Sequence, residues 1–301
     1  MKILSLFIAI LLLAGLCACS YSPARETVVT DDGKHEDMPA QEDDGLTPIY
    51  DNTAVVEAYR SGDTSKLDKK QLAIYNAAIN AIGEFYSDGM SDEDIVIAVH
   101  DWLVVNMTYD TNMLLPILSH QTKDSENPYG ALIKGQAICM GYTTTFQLFM
   151  DMLGIESVIV RGSNGVEEHA WNMVNLDDEW YHVDVTWDDF VPDEKGRPAF
   201  HIYTLVPDYV MGSDHIWDRS TAPTATADDR IYYKTHGLYA ETEAENAAIL
   251  EAAKNSGQKY AEIMTPSESE VTNYLYTYWV NRFGYFSEID RYVVTIYWLT
   301  D

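Results

Sequence analysis

Residues 135–189 read GQAICMGYTTTFQLFMDMLGIESVIVRGSNGVEEHAWNMVNLDDEWYHVDVTWDD. From Ile138 to Leu153 the apolar positions 139, 142, 146, 149, 150 and 153 form a helical stripe, and Gly154 follows as a stop signal. Cys139 therefore falls in the first turn of a buried helix. There the dipole and the unpaired backbone N–H groups favour a thiolate and can serve an oxyanion. Three alternating segments come next: Ser157 to Arg161, His169 to Leu176 and Glu179 to Trp187. They read as strands, the last two joined by a tight turn at Asp177-Asp178.

With Asp177 and Asp178 as the two loop residues, 176 faces 179, and His169 faces Thr186. Asp184 is then the diagonal neighbour of His169 on the same side of the sheet, with Cβ atoms roughly 7–8 Å apart or slightly less. A loop of even length keeps the pair together, whereas an odd one separates it. Trp180, His182, Asp184 and Thr186 share one face, which is chemically mixed. Tyr181, Val183, Val185 and Trp187 share the other with Ala170, Val174 and Leu176, which reads as a core face. A thiol, an imidazole and a carboxylate in this order are the minimum set for a nucleophile, its base and the group that orients the base. His182 is a rival base, but it lies along one strand from Asp184, about 6.5–7 Å away, which disfavours a direct bond.

Three motifs in this order resemble the transglutaminase-like (papain-related) superfamily in its bacterial form. They are Gly135-Gln136-Ala137-Ile138-Cys139-Met140-Gly141-Tyr142, His169-Ala170-Trp171-Asn172, and Tyr181-His182-Val183-Asp184-Val185-Thr186-Trp187-Asp188-Asp189. His100-Asp101-Trp102, Asn127 to Leu132 and Asp214-His215-Ile216-Trp217-Asp218 extend the likeness over about residues 50 to 225. The resemblance implies an α+β fold, a helix packed on an antiparallel sheet as in papain. It also implies Cys139 as nucleophile, His169 as general base then acid, and Asp184 as the orienting acid. Animal crosslinking enzymes of this kind carry Gln and Trp beside the nucleophile, where this chain has Ile138 and Met140. The expected reaction is thus hydrolysis of an amide or peptide bond. Glutamine transamidation is the alternative within the family, and a non-enzymatic binding or scaffold role that keeps the fold is the alternative outside it.

The rest of the chain is read around that centre. At 301 residues, 47% of them hydrophobic and 12% aromatic, it can bury a substantial core. A net charge of −29 excludes nucleic acid as a natural partner and reads as a solubility device. Residues 1–18, with Lys2 before an apolar run from Ile3 to Leu16, read as a secretory signal. Leu16-Cys17-Ala18-Cys19 resembles the bacterial lipobox, which places cleavage before Cys19 and lipid on its thiol. The expected location is extracytoplasmic, anchored to the cell membrane by that lipid. Of three cysteines only Cys139 then remains with a free thiol.

Residues 19–48 are acidic and polar and read as a disordered tether. The resemblance implies a transglutaminase-like domain over residues 49–228, and 229–301 are expected to form a small α+β module. In the domain, Lys69 to Tyr86 and a capped stretch from Ser91 to Met107 read as helices, the second carrying His100 as a packed histidine. Phe200 to Val206 reads as a strand, and His201 and His215 as structural histidines. In the module, Arg230 to Tyr239 reads as a strand, Glu241 to Ser256 as a helix, Tyr260 to Met264 as a strand, Ser267 to Phe283 as a helix and Arg291 to Leu299 as a strand. The helices of this module are expected on one face, and its many aromatics as core. No pair of His or Cys has metal-ligand spacing on a helix or turn, Asp188-Asp189 reads as a cation site or equally as a turn after a strand, and no metal or cofactor is expected. The expected partner is a protein or peptide substrate, cell-wall peptide among the candidates.

Overall fold

The computed structural model describes residues 48–111, 124–189, 199–257, 259–266, 279–286 and 291–297. The signal, the lipid site at Cys19 and nearly all of the tether lie outside these residues, as do Tyr274, Tyr276, Tyr278 and Trp298.

Among the described residues three helices come first: α1 (Thr53–Ser61), α2 (Lys69–Phe85) and α3 (Asp92–Asn106). The last two open on reciprocal capping boxes, Asp68 with Gln71 and Ser91 with Asp94, so the predicted starts hold to within a residue. A short strand β1 (Thr108–Tyr109) pairs in parallel with β2 (Gln136–Ala137), which leads straight into α4 (Cys139–Leu153). The helix entry is fixed from several sides. Ile138 N–H donates to Ser125 O at 2.9 Å, and Asp110 N–H to Ala137 O at 2.8 Å. Gly141 lets the Ser125 carbonyl approach so closely that a Cβ there would lie 2.3 Å from it. Gly154 at φ 84° ends the helix in the left-handed conformation.

The strands β3 (Ser157–Ser163), β4 (Glu168–Leu176) and β5 (Glu179–Val183) follow, then a short helix α5 (Val185–Asp188), β6 (Thr204–Val206), α6 (Asp208–Met211) and β7 (Ile216–Trp217). The sheet order is β6-β5-β4-β3-β7, antiparallel throughout. The expected α+β class, a helix packed on an antiparallel sheet, is what the chain adopts. Asp177 and Asp178 have φ of 55° and 68°, the two left-handed residues that a tight hairpin turn requires. The register is the even one, with Leu176 opposite Glu179 and Asn172 opposite Val183.

The third strand was expected to run to Trp187, and it stops at Val183. The Asp184 Oδ1 atom accepts the N–H groups of Thr186 at 3.0 Å and Trp187 at 3.2 Å, capping α5 and turning the chain out of the ladder. A side chain that satisfies helix-terminal donors competes with strand pairing and here wins. Thr186 therefore has no cross-strand partner opposite His169.

The sheet has two covered faces rather than one core face and one mixed face. Val174, Leu176, Tyr181 and Val183 join Ile74, Val99, Leu103, Phe146 and Phe149 beneath the helices. Trp171 and Met173 on the other face join Val206, Met211, Ile231, Tyr233, Met264 and Val293. The second cluster draws residues from both sides of position 228, so the C-terminal segment shares a core with the sheet.

In that segment Tyr232–Thr235 is a helical turn, α7, in place of the expected strand; only Tyr239 makes a bridge, to Met264. It is followed by α8 (Glu243–Asn255), capped by Thr242 with Glu245, then β8 (Tyr260–Thr265), β9 (Trp279–Phe286) and β10 (Arg291–Tyr297). The sheet order β8-β10-β9 is antiparallel. Residues 279–283 were expected to end a helix and are strand; their alternation pairs with β10, which overrides the helical spacing.

Candidate active site

Cys139 is the first residue of α4 and sits partly exposed at the floor of a cleft of about 270 Å³. Tyr109, Glu167, Glu168, Trp187 and Asp189 line this cleft together with Cys139 and His169. The Gly141 and Tyr142 N–H groups turn back to Ile138 O, while those of Cys139 and Met140 stand at the open end of the helix. Thr143 Oγ1 donates to Ala170 O at 2.8 Å, tying the first turn of α4 to β4 one residue past His169. Tyr142 O–H donates to Asp189, closing the other side.

His169 is 8% exposed and shares the lining of the cleft with Cys139, close enough for the thiol to favour a charged ring. Its Nε2 lies 2.6 Å from Asp184 Oδ2, so Nδ1 is the atom left for the sulfur. Its ring is stacked near Trp171 at 5.8 Å and beside Trp187 at 5.6 Å. Burial works against a charged imidazole, but the Asp184 charge and hydrogen bond, with the Cys139 contact, outweigh it and push His169 up to about 10. Asp184 is fully buried, and burial would raise it. The His169 charge and the hydrogen bonds of His169 and His215 hold it instead well below the carboxylate range. Tyr109 is pushed up, chiefly by burial and next by the charge of Cys139.

The structure thus brings Cys139, His169 and Asp184 together, and it ties up His182, the rival that the spacing disfavoured, elsewhere. That ring is buried; its Nδ1 accepts Trp171 Nε1–H at 2.9 Å, and its Nε2 contacts Asp208 Oδ1 at 2.8 Å. His215, read as structural, lies in the site itself. Its Nε2 is 3.0 Å from Asp184 Oδ2, its Nδ1 2.7 Å from Asp214 Oδ1, and its ring centre 4.3 Å from that of Trp187. The signal available in the sequence was the Asp214-His215 pair followed by Trp217 at the sheet edge β7, where Gly162 pairs with Trp217 next to His169.

A second string of acids and imidazoles lies behind the first. Asp188 accepts from His100 Nε2 at 3.1 Å, and His100 Nδ1 contacts Asp101 Oδ1 at 2.9 Å. Asp101 also meets His201 Nε2 at 3.0 Å, and His201 Nδ1 meets Glu262 Oε2 at 3.1 Å. His100 is packed as expected; burial opposes its charge, and Asp101 and Asp188 raise it. His201 is likewise pushed up to about 10 against burial by Asp101 and Glu262. Asp188 is therefore a buried acceptor rather than a turn residue. His100, Asp101 and His201, like His169, Asp184 and His215, bring three donor atoms within 4.8 Å of one another. In both groups the imidazole nitrogens are spent on carboxylates, except Nδ1 of His169, which faces Cys139.

These charges make stability depend on pH in a definite direction. The folded values of His169 and His201 lie near 10, above the ordinary 6.5, so their contribution is complete below about pH 6.5 and is lost as pH rises toward 10. Urea midpoints are expected to fall across this window, and His169→Phe to flatten the decline. A midpoint constant from pH 7 to 10 would contradict the charged pairs.

Residues 79–185 match the family model of the transglutaminase-like superfamily, a span that contains Cys139, His169 and Asp184. Kyphoscoliosis peptidase of Mus musculus is 23% identical over 207 residues, covering 62% of this chain and 30% of that protein. The Homo sapiens protein of the same name is 22% identical over 208 residues, covering 61% and 31%. The match thus spans about a third of the length of these curated relatives. Among solved structures, one described as a TGase aligns with TM-score 0.34 and 21% identity over 48% of this chain and 39% of its own. A proposed cysteine protease from Cytophaga hutchinsonii aligns with TM-score 0.32 and 16% identity over 50% and 47%.

Proposed function

We propose, from the premise that residues 79–185 are transglutaminase-like, that this chain is a cysteine acyl-transfer enzyme that hydrolyses an amide or peptide bond. The observation that carries the reading is the His169–Asp184 contact of 2.6 Å beside the Cys139 sulfur at a helix start. In the mechanism, the Cys139 thiolate attacks the amide carbonyl while His169 carries the proton. The N–H groups of Cys139 and Met140 receive the oxyanion. His169 then passes its proton to the leaving amine, and a thioester remains on Cys139. Water, deprotonated by His169, attacks the thioester and releases the acid. Asp184 holds the imidazole so that Nε2–H points at the carboxylate and Nδ1 at sulfur, without itself taking the proton.

The substrate is a protein or peptide, with cell-wall peptide as one source. The lipobox-like Leu16-Cys17-Ala18-Cys19 supports a lipid anchor at Cys19 outside the cytoplasm. Intact-mass analysis after incubation with an activated peptide amide tests the chemistry: an adduct on Cys139, discharged by hydroxylamine, is expected. Discharge by an added amine faster than by water would favour transamidation. No adduct with any acyl donor, alongside normal folding, would favour a binding protein.

A further inference from the structure

We propose that His215 is a positioning residue of this centre, held as a doubly protonated imidazolium that shares Asp184 with His169 and thereby limits how tightly the acid grips the catalytic ring. The inference rests on the reading of Cys139 and His169 as nucleophile and base, and deepens it.

The number of protons available decides the charge of His215. A neutral imidazole has one N–H and one lone pair. Both nitrogens of His215 face carboxylate oxygens, Asp184 Oδ2 at 3.0 Å and Asp214 Oδ1 at 2.7 Å. A lone pair aimed at either oxygen would be repelled, so either both nitrogens carry protons or one acid does. Asp184 offers no proton, because Oδ1 accepts two backbone N–H groups and Oδ2 already accepts from His169. Asp214 is more than a third exposed and its Oδ2 accepts Tyr203 O–H at 2.6 Å, surroundings that suit a carboxylate rather than a carboxylic acid. The protons therefore reside on His215.

The surroundings agree. Burial opposes a charged His215, and the hydrogen bonds of Asp184 and Asp214 raise it nonetheless. The titratable and charged groups facing it are Asp184 from the start of α5, Asp214 beside it, His169 from β4, Tyr203 from the segment before β6 and His182 from β5. Trp171 and Trp187 flank the ring at 5.0 and 4.3 Å and exclude water. The resulting line alternates in sign from His169 through Asp184 and His215 to Asp214. With only His169 to balance it, the buried Asp184 would stabilise the doubly protonated His169 more strongly, and release of the Nδ1 proton to the leaving amine would be slower.

The test uses ¹⁵N-histidine NMR of the full chain together with His215→Gln, which keeps an amide N–H for Asp184 but removes the charge. At pH 7 both ring nitrogens of His215 are expected in the protonated range. In His215→Gln, kcat is expected to fall on the order of tenfold with KM little changed, and the His169 titration to move to higher pH. His215→Phe, which fills the space with neither charge nor bond, is expected to lose more. A His215 with one unprotonated nitrogen at pH 7 would overturn the proposal, as would a Gln variant with unaltered kcat and His169 titration. The NMR reading needs no substrate. A wild-type protein that forms no acyl adduct therefore defeats the enzymatic reading, while a neutral His215 in a protein that does acylate defeats this one.

Discussion

Cys139→Ala is expected to abolish turnover, by a factor on the order of 10⁴ to 10⁶, while the melting temperature stays within a few degrees of wild type. The side chain is small, partly exposed and at the start of α4, so its removal opens little space and leaves the helix entry to Ile138, Ser125 and Gly141. The loss is one of chemistry alone, because neither backbone N–H groups nor His169 can form the thioester. Substrate binding, read by fluorescence or calorimetry, should survive. Turnover within tenfold of wild type would assign the reaction to another group.

Asp184→Asn is expected to lower kcat by about 10⁴ and to destabilise the fold as well. Asn Oδ1 can still accept the Thr186 and Trp187 N–H groups that start α5. Its Nδ2–H₂ group, however, now meets N–H donors from His169 and His215, which forces the His169 ring into the wrong tautomer or away from Cys139. Two imidazolium groups also lose their shared counter-charge inside a buried site. Breaking a buried pair in this way costs about 3–5 kcal/mol. Thermal melts and kcat per folded molecule, measured well below the transition, separate the two effects. A fully active, equally stable Asn variant would remove Asp184 from the mechanism.

The parts of this centre that the sequence discloses are the ones written in short-range patterns. The stripe after Cys139 places that thiol at a helix start, and two aspartates in a row set an even hairpin that puts Asp184 on the side of His169. Capping boxes mark the starts of α2 and α3. What the pattern hides depends on competition or on distance. Asp184 alternates like a strand residue, yet its carboxylate captures two N–H groups and ends the strand. His215 joins Asp184 from 31 positions away, and Glu262 joins His201 from 61, separations at which no local spacing carries information. In β9 the aromatic-rich run suits either period, and pairing with β10 decides it.

The string that ends on Glu262 bears on how this protein can be cut. Its last acid comes from β8, beyond any boundary near 228, and it meets an imidazolium whose other partner, Asp101, belongs to α3. A fragment trimmed at that point would keep Cys139 and His169, yet carry a cation stranded inside an opened wall. Any graft that replaces the last quarter of the chain must bring an acid to the same place, or take the charge off residue 201 first.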